Sequence, residues 1–277
     1  MNRDYRESGL KRGRYNVYEH ARNECDRHEH VRYTGFMKVS ATQPISRRDR
    51  PAKPPLSREV IVSTAVGLLR SEGLERLTMR RLAAALDTGP ASLYVYFRNT
   101  EHLYAAVLDE LLGEVRLLPK RSGGPWEDRL ASVLASYVQV LFEFPSVARL
   151  SVFTRSTGPN SLRLFETLLT LLDEGGIQPG AAAWGVDLLL LYATSTAAEH
   201  STREEQPGTV EDDSDMALAL SKVSAKSHPR LYKLRKTMLS GTPEERFRWG
   251  IDAILAGLAT DRIGAVPDAY LRRAEVD

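Results

Sequence analysis

The stretch Leu77–Phe97, LTMRRLAAALDTGPASLYVYF, sets two short amphipathic segments on either side of a three-residue break. In the first, Met79, Leu82, Ala83 and Leu86 recur at i, i+3, i+4 and i+7, the spacing of one buried helix face. Thr78 precedes them as an N-cap, and Asp87–Gly89 supplies the turn. Pro90 suits the first position of a new helix, where its missing N–H costs nothing. From there only Leu93 and Phe97 face a core. Ala91, Ser92, Tyr94, Val95 and Tyr96 are left outward: small, hydroxylated or aromatic, and none acidic. A helix this short buries little and costs entropy to order, so its outer face must justify it. At ~1.5 Å per residue, Pro90–Tyr96 makes a rod about 10 Å long, and a major groove is ~12 Å wide. The spacing therefore predicts a helix-turn-helix, with the first helix crossing the backbone and Pro90–Tyr96 entering the groove. Helix N-termini at Thr78 and Pro90 aim positive dipole ends at phosphates. With Met79, Leu82 and Leu86 inward, Arg80 lies on the solvent side and Arg81 flanks it.

Upstream, Ser57 can cap a helix whose stripe is Ile61, Val62, Ala65, Leu68 and Leu69, and Gly73 should end it in a left-handed conformation. Downstream, Asn99 caps a fourth helix over Thr100–Leu118, with Leu103, Val107 and Leu111 on one face. Beyond the loop KRSGGP, helices are expected at 126–143, 145–155, 160–174, 179–203, 213–225, 229–239 and 243–259, separated by Pro and Gly breakers. No stretch alternates convincingly over strand length, so the expected fold is all-α.

At residues 56–112 the sequence resembles the DNA-binding domain of the TetR family of tetracycline-repressor-like bacterial regulators. The likeness rests on the first-helix stripe, on SEGLERLTMRRLAAAL and on SLYVYFRN in register. The resemblance implies a three-helix head plus connecting helix on a larger helical domain that binds an effector and dimerises. It implies a ligand-responsive regulator, a repressor released from a palindromic operator by a small molecule. Carried over position by position, it implies that Thr78, Met79 and Arg80 touch phosphates or bases. Pro90, Ala91, Ser92, Val95 and Tyr96 would present the groove-reading surface, and the Tyr94 hydroxyl would reach the backbone. Either tyrosine could instead pack against the first or fourth helix. Three departures stand out. Thr100 replaces the usual Lys, although its hydroxyl and the helix N-terminus can still bind an anion. Asp87 replaces the usual Gly of the turn, where Asp tolerates an unusual backbone better than most residues. The groove helix has no Arg, Gln or Asn for bidentate base readout, which shifts the burden to thymine methyls, hydroxyls and DNA shape.

Residues 1–55 carry 13 Lys/Arg against 7 Asp/Glu, a net of +6, whereas the whole chain of 277 residues nets only +2. They show no sustained period and end in the proline-rich, basic QPISRRDRPAKPPLS, which reads as an extended arm. Arg47, Arg48, Arg50 and Lys53 could enter a minor groove, or the arm could simply be solvated. Met37 offers a second place for the protein to start. The expected domains are thus the arm 1–55, the head 56–118, the effector and dimerisation domain 119–265, and a tail 266–277.

In the C-terminal half, Tyr137, Phe142, Phe153, Trp184, Tyr192 and His200 are candidates for an effector pocket, with ordinary core packing as the alternative. Helices 179–203 and 243–259 are candidates for a four-helix homodimer interface. In the second, the stripe is Phe247, Ile251, Ile254, Leu255 and Leu258, and Gly250, Ala253 and Gly257 permit close approach; burial within one subunit is the alternative. No HxxxH or CxxC pair is present, so no metal or other cofactor is expected. No Ser-His-Asp arrangement or P-loop is visible, so an enzyme is not expected either. A single cysteine, no secretory leader and no apolar run approaching ~18 residues suggest a cytoplasmic protein without a membrane span. The competing reading is a helical small-molecule-binding protein or degenerate enzyme whose head no longer binds DNA. Binding to double-stranded operator DNA discriminates the two.

Overall fold

A computed structural model describes residues 55–117, 123–152, 154, 156–205 and 210–260, with backbone alone at 200–205 and 210–214. The arm residues Arg47, Arg48, Arg50 and Lys53, together with Phe153 and the His200 side chain, lie outside that description. Among the described residues there are eleven α-helices and no strand, as the absence of strand-length alternation implies. All of them belong to one compact unit.

The head is α1 (Arg58–Glu72), α2 (Met79–Ala85), α3 (Pro90–Tyr94) and α4 (Thr100–Leu112). Side-chain caps start three of them. Ser57 Oγ accepts the Val60 N–H, Thr78 Oγ1 the Arg81 N–H and Asn99 Oδ1 the His102 N–H, at 3.3, 3.1 and 2.9 Å. The expected inward residues of all four helices are buried, from Ile61 in α1 to Leu111 in α4. Asp87 sits at φ +48°, the left-handed turn position that the missing glycine implies.

Several boundaries differ from expectation. Gly73 has φ +83° but an extended ψ of 169°, because a 3₁₀ turn, Leu74–Arg76, follows instead of a simple reversal. Helix α3 stops at Tyr94, not Tyr96. The N–H groups of Tyr96 and Phe97 both go to the Leu93 carbonyl at 3.0 Å, tightening the turn as Phe97 drops into the core. Helix α4 ends at Leu112, where Gly113 begins a turn closed by Glu114 and Val115 N–H groups on the Leu111 and Leu112 carbonyls. The helix expected at 145–155 is α6 (Pro145–Ser151), shorter at its end.

The core adds α5 (Trp126–Phe142), α7 (Pro159–Glu174), α8 (Pro179–Glu205), α9 (Val210–Ser221), α10 (Pro229–Met238) and α11 (Pro243–Leu258). Helix α8 is the axis, packed by α5, α6, α7 and α11, while α4 lies against α1 and α7. Its buried face is Val186, Leu189, Ala193 and Ala197, a helical period. By length and composition alone, Pro179–Glu199 would also suit a membrane span, which differs from the expectation that no apolar run approaches that length. Here it is the central helix of a bundle.

Candidate nucleic-acid interface

Leu93 and Phe97 are completely buried and anchor α3, which leaves the rest of its five residues at the surface. Val95 is 82 % exposed and Tyr94 52 %. Pro90 and Ala91 are exposed and Ser92 half-buried. The support beneath is rigid. The Tyr104 hydroxyl on α4 donates to the Leu77 carbonyl at 3.0 Å, pinning the entry to α2. Burial, with Glu75 nearby, pushes the Tyr104 phenol above its usual range, so it stays a neutral donor.

Two expected contact residues are placed otherwise. Tyr96 is half-buried, and its hydroxyl donates to the Leu56 carbonyl at 2.6 Å. Of the two tyrosines it is the one that packs back on the approach to α1, because the helix has already ended before it. The Met79 side chain is buried, so only its backbone can face a phosphate. Thr78 and Arg80 are exposed and Thr100 is half-buried at the start of α4. Arg81 is committed within the head: its guanidinium grips both oxygens of Glu72, with Nε to Oε2 at 3.0 Å, and this bond holds the Glu72 carboxyl below its usual range.

Two cations escaped the sequence reading. Arg98 is exposed between the anchor Phe97 and the cap Asn99. Arg58 donates to the Tyr96 carbonyl at 3.3 Å and lies 4.5 Å from the Phe97 ring centroid. The only hint in sequence was their position beside caps, where a charged residue is also common for solubility.

The four described residues of the expected effector pocket make separate contacts. Tyr137 is buried between α5 and α8, 2.7 Å from Thr194 Oγ1, and burial raises its phenol above the usual range. Phe142 is half-buried at the end of α5. Tyr192 instead joins α8 to α11: its ring stacks on Phe247 at 5.5 Å and its hydroxyl donates to the Arg246 carbonyl. Trp184 is 54 % exposed on the opposite face of α8, so it lines no interior. The helical period separates it from the buried Val186–Ala197 face.

The same period corrects the dimer stripe of α11. Ile251, Leu255 and Leu258 are buried within the subunit. Gly250 is needed there too, since a Cβ would lie 2.2 Å from the Tyr192 hydroxyl. On these two helices the large apolar residues left in water are Trp184, Leu188 and Leu191 of α8 and Trp249 of α11, the last 73 % exposed. Among the described residues no group of three or more His, Cys, Asp or Glu side chains could hold a metal.

Comparison with known proteins agrees with this geometry. Residues 61–107 match the family model for bacterial regulatory proteins of the tetR family, and 118–262 match that for the tetracyclin repressor-like C-terminal domain. An HTH-type transcriptional regulator of Saccharopolyspora erythraea is 36 % identical over 57 % of this chain and 67 % of its own length. A crystal structure of a Streptomyces coelicolor protein, SCO7704, described as a transcription regulator, is 46 % identical with a TM-score of 0.63, covering 75 % of this chain and 97 % of that one. The TetR family protein ActR of Streptomyces coelicolor, solved with actinorhodin, is 33 % identical with a TM-score of 0.66, over 78 % and 99 % of the two chains. The chain belongs to the TetR family, and is a DNA-binding, ligand-responsive regulator of transcription.

Proposed function

We propose that Pro90, Ala91, Ser92, Tyr94 and Val95 read a major groove in each half of a palindromic operator, as part of a homodimeric repressor. The observation that carries this is a five-residue helix and its C-cap, held between two fully buried side chains, Leu93 and Phe97, so that Tyr94 and Val95 stand in water. Exposing apolar side chains this way costs stability unless a partner covers them. Thr78, Arg80, Arg98 and Thr100 flank that surface and meet phosphates, and the basic arm at Arg47, Arg48, Arg50 and Lys53 follows the adjacent minor groove. Contact with thymine methyls suits Ala91 and Val95.

Trp184, Leu188, Leu191 and Trp249 form the two-fold interface, α8 and α11 of each subunit making a four-helix contact. It sets the separation of the two heads, roughly 34–36 Å or a multiple for successive turns of one DNA face. As ActR takes actinorhodin, this chain takes a small molecule in its helical core, in the cytoplasm where the operator is. The effector shifts α4, changing the separation of the heads and releasing DNA. Sequencing genomic fragments retained by the purified protein tests the reading. Enrichment of a palindrome, with affinity falling steeply as salt rises, supports it. Recovery of no common sequence, or retention indifferent to sequence, would leave the competing reading of a head that no longer recognises DNA.

A further inference from the structure

The carboxylate of Asp109, buried three residues before the end of α4, is the most heavily bonded side chain described in the molecule. Its Oδ1 accepts the Ser161 N–H at 2.9 Å, the Ser161 hydroxyl at 2.8 Å and the Ser156 hydroxyl at 3.0 Å. Its Oδ2 accepts the Asn160 N–H at 3.3 Å, and Asn160 Nδ2 returns a bond to the Asp109 carbonyl at 3.0 Å. Helix α7 lacks a side-chain cap of its own at Gly158. Asp109 supplies the missing acceptor from another helix, with its charge on the positive end of the α7 dipole. Gly158 makes room: a Cβ there would lie 2.3 Å from the Asp109 carboxylate.

A buried charge with four donors has few intermediate states. Sliding α4 past α7 by a fraction of a turn breaks these bonds together, and such losses are costly. The joint is therefore either closed or open. Thr100, at the other end of α4, lies nine residues away, about 14 Å along the helix at ~1.5 Å per residue. It directly follows the anchor Phe97 and cap Asn99 of the reading head. A small change at the joint thus becomes a displacement at the head. Other ties join head and core: Ser146 bonds Glu75 at 2.9 Å at the surface, Arg70 lies over the Phe144 ring, and the Arg116 N–H donates to Ser136 Oγ at 2.9 Å; none of them caps a helix with a charge.

We propose that Asp109 is a positioning residue for DNA binding: its clasp on Ser156, Asn160 and Ser161 fixes the angle of α4 and so the orientation of the reading head. This rests on the operator-binding function proposed above. A loosened joint makes the two heads pay ordering entropy on binding, so weakening it should reduce operator affinity without touching the reading surface.

Hydrogen exchange by mass spectrometry on the full chain tests this with Asp109→Asn, which turns one acceptor into a donor, and Gly158→Ala, which wedges the carboxylate away. The probe is the DNA fragment recovered by the wild-type protein. Expected are joint loss of protection at residues 156–162 and at 106–112, wild-type protection in α1–α3, and operator Kd raised about tenfold. Operator bound to the wild type should in turn increase protection at 156–162, and the variants should lose that response. Loss of protection at 156–162 alone, with Kd within twofold of wild type, would make Asp109 a plain helix cap and overturn the proposal. Should either variant also lose protection throughout α1–α3, Ser161→Ala, which removes one donor and keeps the charge, is read by the same criteria. A wild type that recovers no operator overturns the function, not the clasp. The clasp then stands or falls on joint against single loss of protection in the free protein.

Discussion

Two of the surfaces that leave large apolar side chains in water differ in what surrounds them. On α3, Tyr94 and Val95 project from a helix with no acidic residue, with Arg80 and Arg98 exposed nearby. On α8 and α11, Trp184, Leu188, Leu191 and Trp249 lie beside Asp187 and beside Asp252, whose charge is matched by Arg248 at 2.8 Å. The first is narrow and suited to a polyanion that presents apolar methyl groups in its groove. The second is broad, spans two long helices and suits a copy of itself. Exposure alone does not identify a partner; the charge beside the exposed residues does.

Breaking the broad surface should have the largest effect. Leu188→Asp combined with Trp249→Asp places four carboxylates in one two-fold interface. Unpaired buried charges cost several kcal/mol, so the dimer dissociation constant should rise by about a thousandfold or more, read by sedimentation equilibrium. Unchanged association would move the interface elsewhere. On the narrow surface, Tyr94→Ala should lose about tenfold to a hundredfold in operator affinity with no fall in melting temperature. Tyr96→Phe is the contrasting pair. It deletes the bond to the Leu56 carbonyl, and should cost about 1 kcal/mol of stability while leaving base preference intact. If Tyr96→Phe altered sequence preference, the inward placement of that side chain would be wrong.

The contrast also explains what was legible in the sequence. In the head, each boundary is set by a residue whose chemistry acts within three or four positions: Ser57, Thr78 and Asn99 as caps, Pro90 at a first turn, Asp87 at the reversal. Those effects are local, so periodicity and caps sufficed to place Met79, Leu82, Leu93, Phe97 and Leu103 inward. Tyr96 escaped because its fate depends on Leu56, 40 residues away. In the core, α8 is apolar around much of its circumference, so its pattern could not say that Val186, Leu189, Ala193 and Ala197 face inward and Trp184 outward. Gly250 looked like a small residue for intersubunit packing, yet Tyr192 of the same chain fills that space. The Asp109 clasp left no trace, since an acid one turn from a helix end normally reads as solvated.

Two smaller effects sharpen the account of the head. Asp87→Val puts a β-branched residue at φ +48° and should cost about 1–2 kcal/mol, whereas Asp87→Gly should not, by thermal unfolding. Thr100→Lys restores a phosphate cation at the start of α4. The slope of log affinity against log salt should steepen by about 1, with sequence preference unchanged. No change in slope would place Thr100 away from the DNA backbone.

The most direct test of the central claim compares wild type with Val95→Ala over a panel of operators, each carrying one base-pair change. If Val95 meets a base edge, the variant should lose discrimination at one symmetry-related position in each half-site, by about 1 kcal/mol or more, and match the wild type elsewhere. A uniform drop across the panel, or an unchanged profile, would contradict the claim that α3 is held outward to read sequence.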